Sequence, residues 1–247
     1  MAVTYQEKAG QWAKSKSNWY RDRTMLVLAL IILCLGMLIG FLFARLLFAA
    51  AGVLFFFSMV VAYFALRPLY RLMDDWSRQK IRFMRGAQAE ALVAWYLKDL
   101  SNKWHVFHNL PCALGGDVDH IVVGPAGIFV ISTKSYKGHV VRAANGTVKL
   151  NGETLSDLDQ AMKLAMWVKD RLKGVLGKQL PWVQPVLALP FALVEIPPTD
   201  CPVWIVDDTM LLDTLNPENP KCRLSDQRIE QIAVELVRSS HLSKQRA

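Results

Sequence analysis

Cysteine is scarce and poorly spaced for chemistry: Cys34, Cys112, Cys201 and Cys222 lie far apart, with no Cys-x-x-Cys and no Cys/His pair at zinc spacing. A disulfide scaffold and a structural zinc module are thereby excluded, and reduced, mostly buried thiols are expected. His105, His108 and His139 are scattered among strand-forming residues without a partner at metal spacing, so each reads as a packing or surface histidine. No Gly-x-Ser-x-Gly elbow surrounds Ser132, which removes the usual serine nucleophile. There is no internal repeat and no low-complexity tract, and 247 residues suffice for one or two globular domains.

What the chain has in excess is apolar sequence, 53% of its residues, and that excess sits near the N-terminus. Thr24–Ala44 and Leu46–Leu66 are two apolar runs of 21 residues separated by Arg45. A helix needs about 20 apolar residues to cross a bilayer, so each run suffices for one span. One helix through both would measure roughly 60 Å at 1.5 Å per residue, about twice the hydrocarbon thickness. A transmembrane hairpin over 24–66 is therefore predicted. A cleaved signal sequence is disfavoured, because the first run exceeds the usual apolar region, no small-residue cleavage site follows, and a second span comes next.

Charge sets the orientation. Residues 1–23 carry net +3 (Lys8, Lys14, Lys16, Arg21, Arg23 against Glu7, Asp22), residues 67–85 carry net +4, and the turn has only Arg45. Lys and Arg accumulate on cytoplasmic flanks, so both termini and the remaining domain are expected at the cytoplasmic face of the inner membrane. Residues 86–247 contain 17 basic and 17 acidic side chains. The whole basic excess belongs to the membrane flanks, where it attracts anionic lipid headgroups. Gly36, Gly40, Ala49 and Gly52 would let the hairpin pack against another copy or another membrane subunit.

Four segments follow: a basic N-terminus (1–23), the hairpin (24–66), a basic juxtamembrane linker (67–85) with helical character, and an α/β domain (86–247). Within the domain, apolar residues at Ala89, Leu92, Val93, Tyr96 and Leu100 have helical spacing. Short β-rich runs come next at 104–110, 117–123, 127–133, 138–143 and 147–150, the last two joined by Asn145-Gly146, a strong hairpin signal. A helix capped by Ser156 runs to about Leu172. Two apolar runs, WVQPVLALPF and PVWIVDD, read as buried strands, and Ser225 caps a last helix through about Arg238. The fold class is α/β, a mixed sheet with flanking helices.

The stretch GGDVDHIVVGPAGIFVISTKSYKG, residues 115–138, carries the most information. Its two strands meet at Gly124-Pro125-Ala126-Gly127. If Pro125 and Ala126 form the loop, Val123 faces Ile128, Ile121 faces Val130, Asp119 faces Ser132 and Asp117 faces Lys134. A type I turn with a glycine bulge would instead set His120 opposite Ser132. Both registers remain open at this stage. Asp117 and Lys134 could also form a plain cross-strand ion pair.

Residues 117–138 resemble the nuclease-related domain (NERD) family, whose pattern there is Asp-His, an apolar strand, Gly-Pro-x-Gly-Ile, a second apolar strand, Glu-x-Lys and Lys-Gly. GAQAE upstream resembles the family's Gly-x-x-Gly-Glu, and Gln160 fits its glutamine-containing helix; the resemblance covers about residues 86–190. It implies a restriction-endonuclease-like core of the PD-(D/E)-x-K nuclease type, acting on DNA with Mg²⁺. By that analogy Asp119 is a metal ligand, Glu90 positions the metal or water, Lys134 stabilises the attacking water or phosphorane charge, and Gln160 supports the site. Mobile-element biology, such as plasmid transfer or defence against foreign DNA, is a further implication.

This sequence departs from the pattern at Ser132, where the family has an acid two residues before the lysine, and at Ala89, where it has glycine. A hydroxyl is a poor substitute for a carboxylate toward Mg²⁺. Two readings follow from the residues: a membrane-anchored Mg²⁺-dependent DNA phosphodiesterase, or a nuclease-fold module that binds DNA or protein without the chemistry.

Overall fold

The computed structural model describes residues 3–5, 11–46, 52–177, 181–217 and 223–244. Ala49, Lys8 and Cys222 lie outside these residues, and Arg45, at the expected turn between the spans, is still helical, inside the segment Gln11–Leu46. The chain divides into two units, Trp12–Arg85 and Met1–Gln11 with Gly86–Ala247.

The first unit is helical. Helix α1 spans Gln11–Leu46 and α2 spans Gly52–Tyr96. Both contain stretches long and apolar enough to cross a membrane, and almost none of that apolar surface is covered by protein. The linker over 67–85 is not a separate element: it is the middle of α2, which runs through Arg85 and Gly86 to Tyr96. Pro68 sits inside this helix, where the ring removes one backbone hydrogen bond.

In the second unit the expected strands form two sheets rather than one. Strands β1 (Val3–Tyr5), β2 (His105–Pro111), β3 (Asp117–Gly124), β4 (Gly127–Thr133), β5 (Lys137–Arg142), β6 (Val148–Leu150) and β7 (Glu153–Thr154) precede α3 (Asp157–Leu176). After it come β8 (Val183–Ala188), β9 (Phe191–Val194), β10 (Trp204–Val206), α4 (Leu211–Leu215) and α5 (Asp226–Lys244). One sheet has the order β1-β2-β3-β4-β8-β10 and the other β7-β6-β5-β9. The run 182–191 is split: β8 joins β4 in the first sheet, and β9 joins β5 in the second. The chain turns between them, with Ala192 N–H donating to the Leu189 carbonyl. Ser156 precedes α3 but its side chain makes no capping bond.

Alternation along the strands explains the layers. Phe107, Ile121, Val123, Ile128 and Val130 bury one face of the first sheet against Leu164, Val168 and Leu172 of α3 and Ile229, Ile232 and Leu236 of α5. Val106, Val122, Phe129 and Ile131 bury the other face against Val93 near the end of α2, Leu97 in the turn that follows it, and Leu211 and Leu215 of α4. The fold is thus mixed α/β, as the sequence predicts. Strand β1 was not foreseen: the segment before α1 pairs in parallel with β2, Val3 opposite His105 and Tyr5 opposite Phe107.

Candidate functional site

The β3–β4 hairpin has Pro125 and Ala126 in its loop, with Gly124 opposite Gly127, Val123 opposite Ile128 and Ile121 opposite Val130. The bulged alternative is overturned, because His120 faces Ile131, not Ser132. Gly124 is required here: a Cβ would strike the indole of Trp104, which packs over the turn.

The ladder between β3 and β4 ends at His120–Ile131. Beyond it β4 stays with β8, Ser132 opposite Leu187 and Thr133 opposite Ala188, and Lys134 N–H donates to the Ala188 carbonyl at 3.0 Å. On its other side β3 pairs with β2 through His108–His120 and Leu110–Val118, skipping Asn109 and Asp119. Asn109 has φ 54°, a left-handed conformation that asparagine tolerates better than most residues. This break lets Leu110 and Val118 join the same core as Phe107 and Ile121, three residues away in each strand, where strict alternation would separate them. Asp119 therefore lies where both neighbouring ladders are interrupted, as residues beside functional sites often do.

Its carboxylate accepts the Thr133 N–H at 2.6 Å. Burial raises the Asp119 carboxyl to about 6, against the Thr133 N–H, the Lys134 ammonium and the Ser132 hydroxyl, which favour its charged form. Ser132 itself is buried. The expected Asp117–Lys134 pairing does not form: Asp117 faces Pro111 on β2, while the Lys134 ammonium lies 3.1 Å from Asp157 Oδ1 and donates to Gln160 Oε1 at 3.3 Å. Tyr136 completes the group, its hydroxyl donating to Asp157 Oδ2 at 2.9 Å.

The fold thus joins Asp119 with Ser132, and Lys134 with Gln160, at the end of β4 beside the start of α3. Glu90 is half-buried on α2, the helix whose Val93 covers the opposite face of the sheet from α3. Asp157 and Tyr136 escaped the sequence reading. Asp157 is three residues before Gln160, and i,i+3 neighbours share a helix face, so its place was readable once Gln160 was chosen. Nothing local marked Tyr136.

A second polar pair lies beside this rim. His108 and His120 are buried, with their Nδ1 atoms 2.7 Å apart and the rings perpendicular. Burial lowers His108 to about 4 and pushes His120 well below the ordinary histidine range.

Residues 85–190 match the nuclease-related domain (NERD) family. The match runs from the last part of α2 through β8 and covers the hairpin, Lys134 and Gln160. No curated protein and no solved structure matches the chain. The matched segment contains every residue of the candidate site.

Its donor set can be weighed against Mg²⁺, which prefers anionic oxygens. Asp119 offers one carboxylate, with one oxygen engaged by Thr133 and the charged form disfavoured below about pH 6. Ser132 adds a neutral hydroxyl already turned to that carboxylate. Both Asp157 oxygens are engaged, by Lys134 and by Tyr136. Among the described residues, no three His, Cys, Asp or Glu side chains gather as metal ligands would. The rim formed by Asp119, Ser132 and Asp157 thus presents fewer uncommitted anionic oxygens than Mg²⁺ prefers.

Proposed function

We propose that this chain is a membrane-anchored nuclease-fold protein that binds DNA at the cytoplasmic face of the inner membrane, serving plasmid transfer or defence against incoming DNA. Lys134 and Gln160 meet a backbone phosphate, Lys134 through its ammonium and Gln160 through its amide. The observation that carries this reading is the convergence of Asp119, Ser132, Lys134 and Gln160 at one rim, within a segment that matches a nuclease-related family. Phosphate contacts supply the sequence-independent part of DNA affinity, and a lysine needs no metal to make one.

Two observations support the anchoring. Both apolar helices expose their side chains, and Lys and Arg accumulate before the first apolar run and after the second. Strand β1 lies before α1, yet pairs with β2 of the domain that follows α2. One sheet cannot be shared across a bilayer, so the pairing supports an even number of crossings. Gly36 and Gly40 have open space where a side chain would project, which supports close approach of another helix, from a second copy or a different subunit.

Metal-dependent cleavage is the second reading, favoured by one observation: a carboxyl raised to about 6 beside a lysine is the kind of perturbation that collects at catalytic sites. The test uses the full chain in lipid nanodiscs, with duplex and single-stranded DNA, with and without Mg²⁺ or Mn²⁺. DNA binding that weakens in Lys134→Ala, without cleavage, is expected. Cleavage abolished by Lys134→Ala would replace this reading with the enzymatic one, and absence of both binding and cleavage would remove DNA from the function.

A further inference from the structure

The proposed DNA contact has an internal rival. Lys134 emerges at the end of β4, about one-quarter exposed, and its ammonium meets the Asp157 carboxylate, which is 12% exposed. Asp157 opens α3, where the positive end of the helix dipole stabilises a carboxylate. The Tyr136 hydroxyl holds its second oxygen at 2.9 Å. The pair is therefore partly desolvated and oriented by a third group, unlike a mobile surface ion pair, which contributes little. Around it the seat opens to water, since Gln160 is exposed and Tyr136 is 38% exposed.

A phosphate approaching Lys134 would meet the same ammonium and would be repelled by Asp157 at the same point. We propose that Asp157 is a built-in anion that occupies the phosphate seat of Lys134 and lowers the domain's affinity for polyanions. The neutral Ser132 hydroxyl turns toward Asp119, while the negative partner of Lys134 comes from the helix. Replacing Ser132 with an acid would consequently leave the lysine held. Only a change at Asp157 releases it. This inference rests on the DNA-binding reading for its biological meaning, but the contact itself can be tested without DNA.

The full chain in nanodiscs would be treated with a small acylating reagent, and modification of Lys134 followed by peptide mass spectrometry against added inorganic tripolyphosphate. Asp157→Asn, which keeps the size and the Tyr136 hydrogen bond, is expected to speed Lys134 acylation several-fold and to lower the tripolyphosphate concentration that protects it. Tyr136→Phe, which only loosens Asp157, should shift both in the same direction by less, and remains informative if Asp157→Asn fails to fold. On duplex DNA, Asp157→Asn should tighten binding several-fold at low salt, and Lys134→Ala should erase that gain. Unchanged acylation and unchanged protection in both variants would overturn the proposal. Faster acylation and easier protection, with no DNA binding by any variant, would uphold the Asp157 contact and reject the DNA reading.

Discussion

The half-buried Asp119 and the buried His108–His120 pair are titratable groups with opposite consequences for stability. Asp119 binds its proton up to about pH 6 in the fold, against about 3.9 in an unfolded chain. The native state therefore holds the extra proton, and its stabilising effect is full below about pH 4 and lost as pH rises through about 6. Asp119→Asn, which keeps an acceptor for Thr133, should raise the melting temperature relative to the natural protein above pH 6 and lose that advantage near pH 4. The difference should stay below about 3 kcal/mol, since one pKa unit is worth about 1.4 kcal/mol. The histidines run the other way: His108 is lowered to about 4, and His120 is lowered as well, so the unfolded chain takes up protons first. Stability is full above about pH 6.5 and falls as pH drops toward 4. A His108→Phe/His120→Phe double variant should flatten that acid limb in a thermal-shift series from pH 4 to 7.

At the scale of elements, the β3–β4 hairpin shows why a tight turn is costly to alter. Gly124 closes the ladder against Gly127, and the ring of Trp104 occupies the volume a side chain would need. Trp104 is buried and lies 6.1 Å, centroid to centroid, from Phe129, whose ring packs at 5.8 Å on Trp204. Gly124→Ala must push this aromatic row aside, and overpacking of this kind costs about 1–3 kcal/mol. Urea denaturation of the reconstituted protein would read the loss, and a shift in the fluorescence of the displaced indole should accompany it. The β8–β9 break works differently: successive short strands feed two sheets, and Leu187 and Leu189 share a core with Val140 and Ala192, so the split run buries the space between the sheets.

At the scale of the molecule, β1 matters more than its three residues suggest. Its pairing with β2 ties the segment before α1 to the domain after α2, and the basic segments 1–23 and 67–85 precede the first apolar run and follow the second. Alkaline phosphatase fused at either terminus should be inactive, and green fluorescent protein at either terminus should fluoresce. An active phosphatase at one end alone would require an odd number of crossings and contradict the β1–β2 pair.

The one-dimensional pattern was enough for two long apolar helices, most strands and the long helices of the domain, because periodicity, length and turn residues report local burial directly. Val123, Ile128, Ile121 and Val130 announced their shared face, and Lys134 and Gln160 could be chosen by resemblance. Register, the second sheet, the β1 pairing and the partner of Lys134 depended on tertiary packing. A strand's alternation does not say where its ladder ends, and an ion pair forms with whichever carboxylate the folded backbone brings within reach. For Lys134 that carboxylate is Asp157, on a helix 23 residues further along the chain, counting from 134 to 157. Sequence alone thus determined the paired strands around Gly124-Pro125-Ala126-Gly127 and the lysine that follows them, because alternation and turn residues are local, and only the packing of α3 against β4 decided which anion meets that lysine.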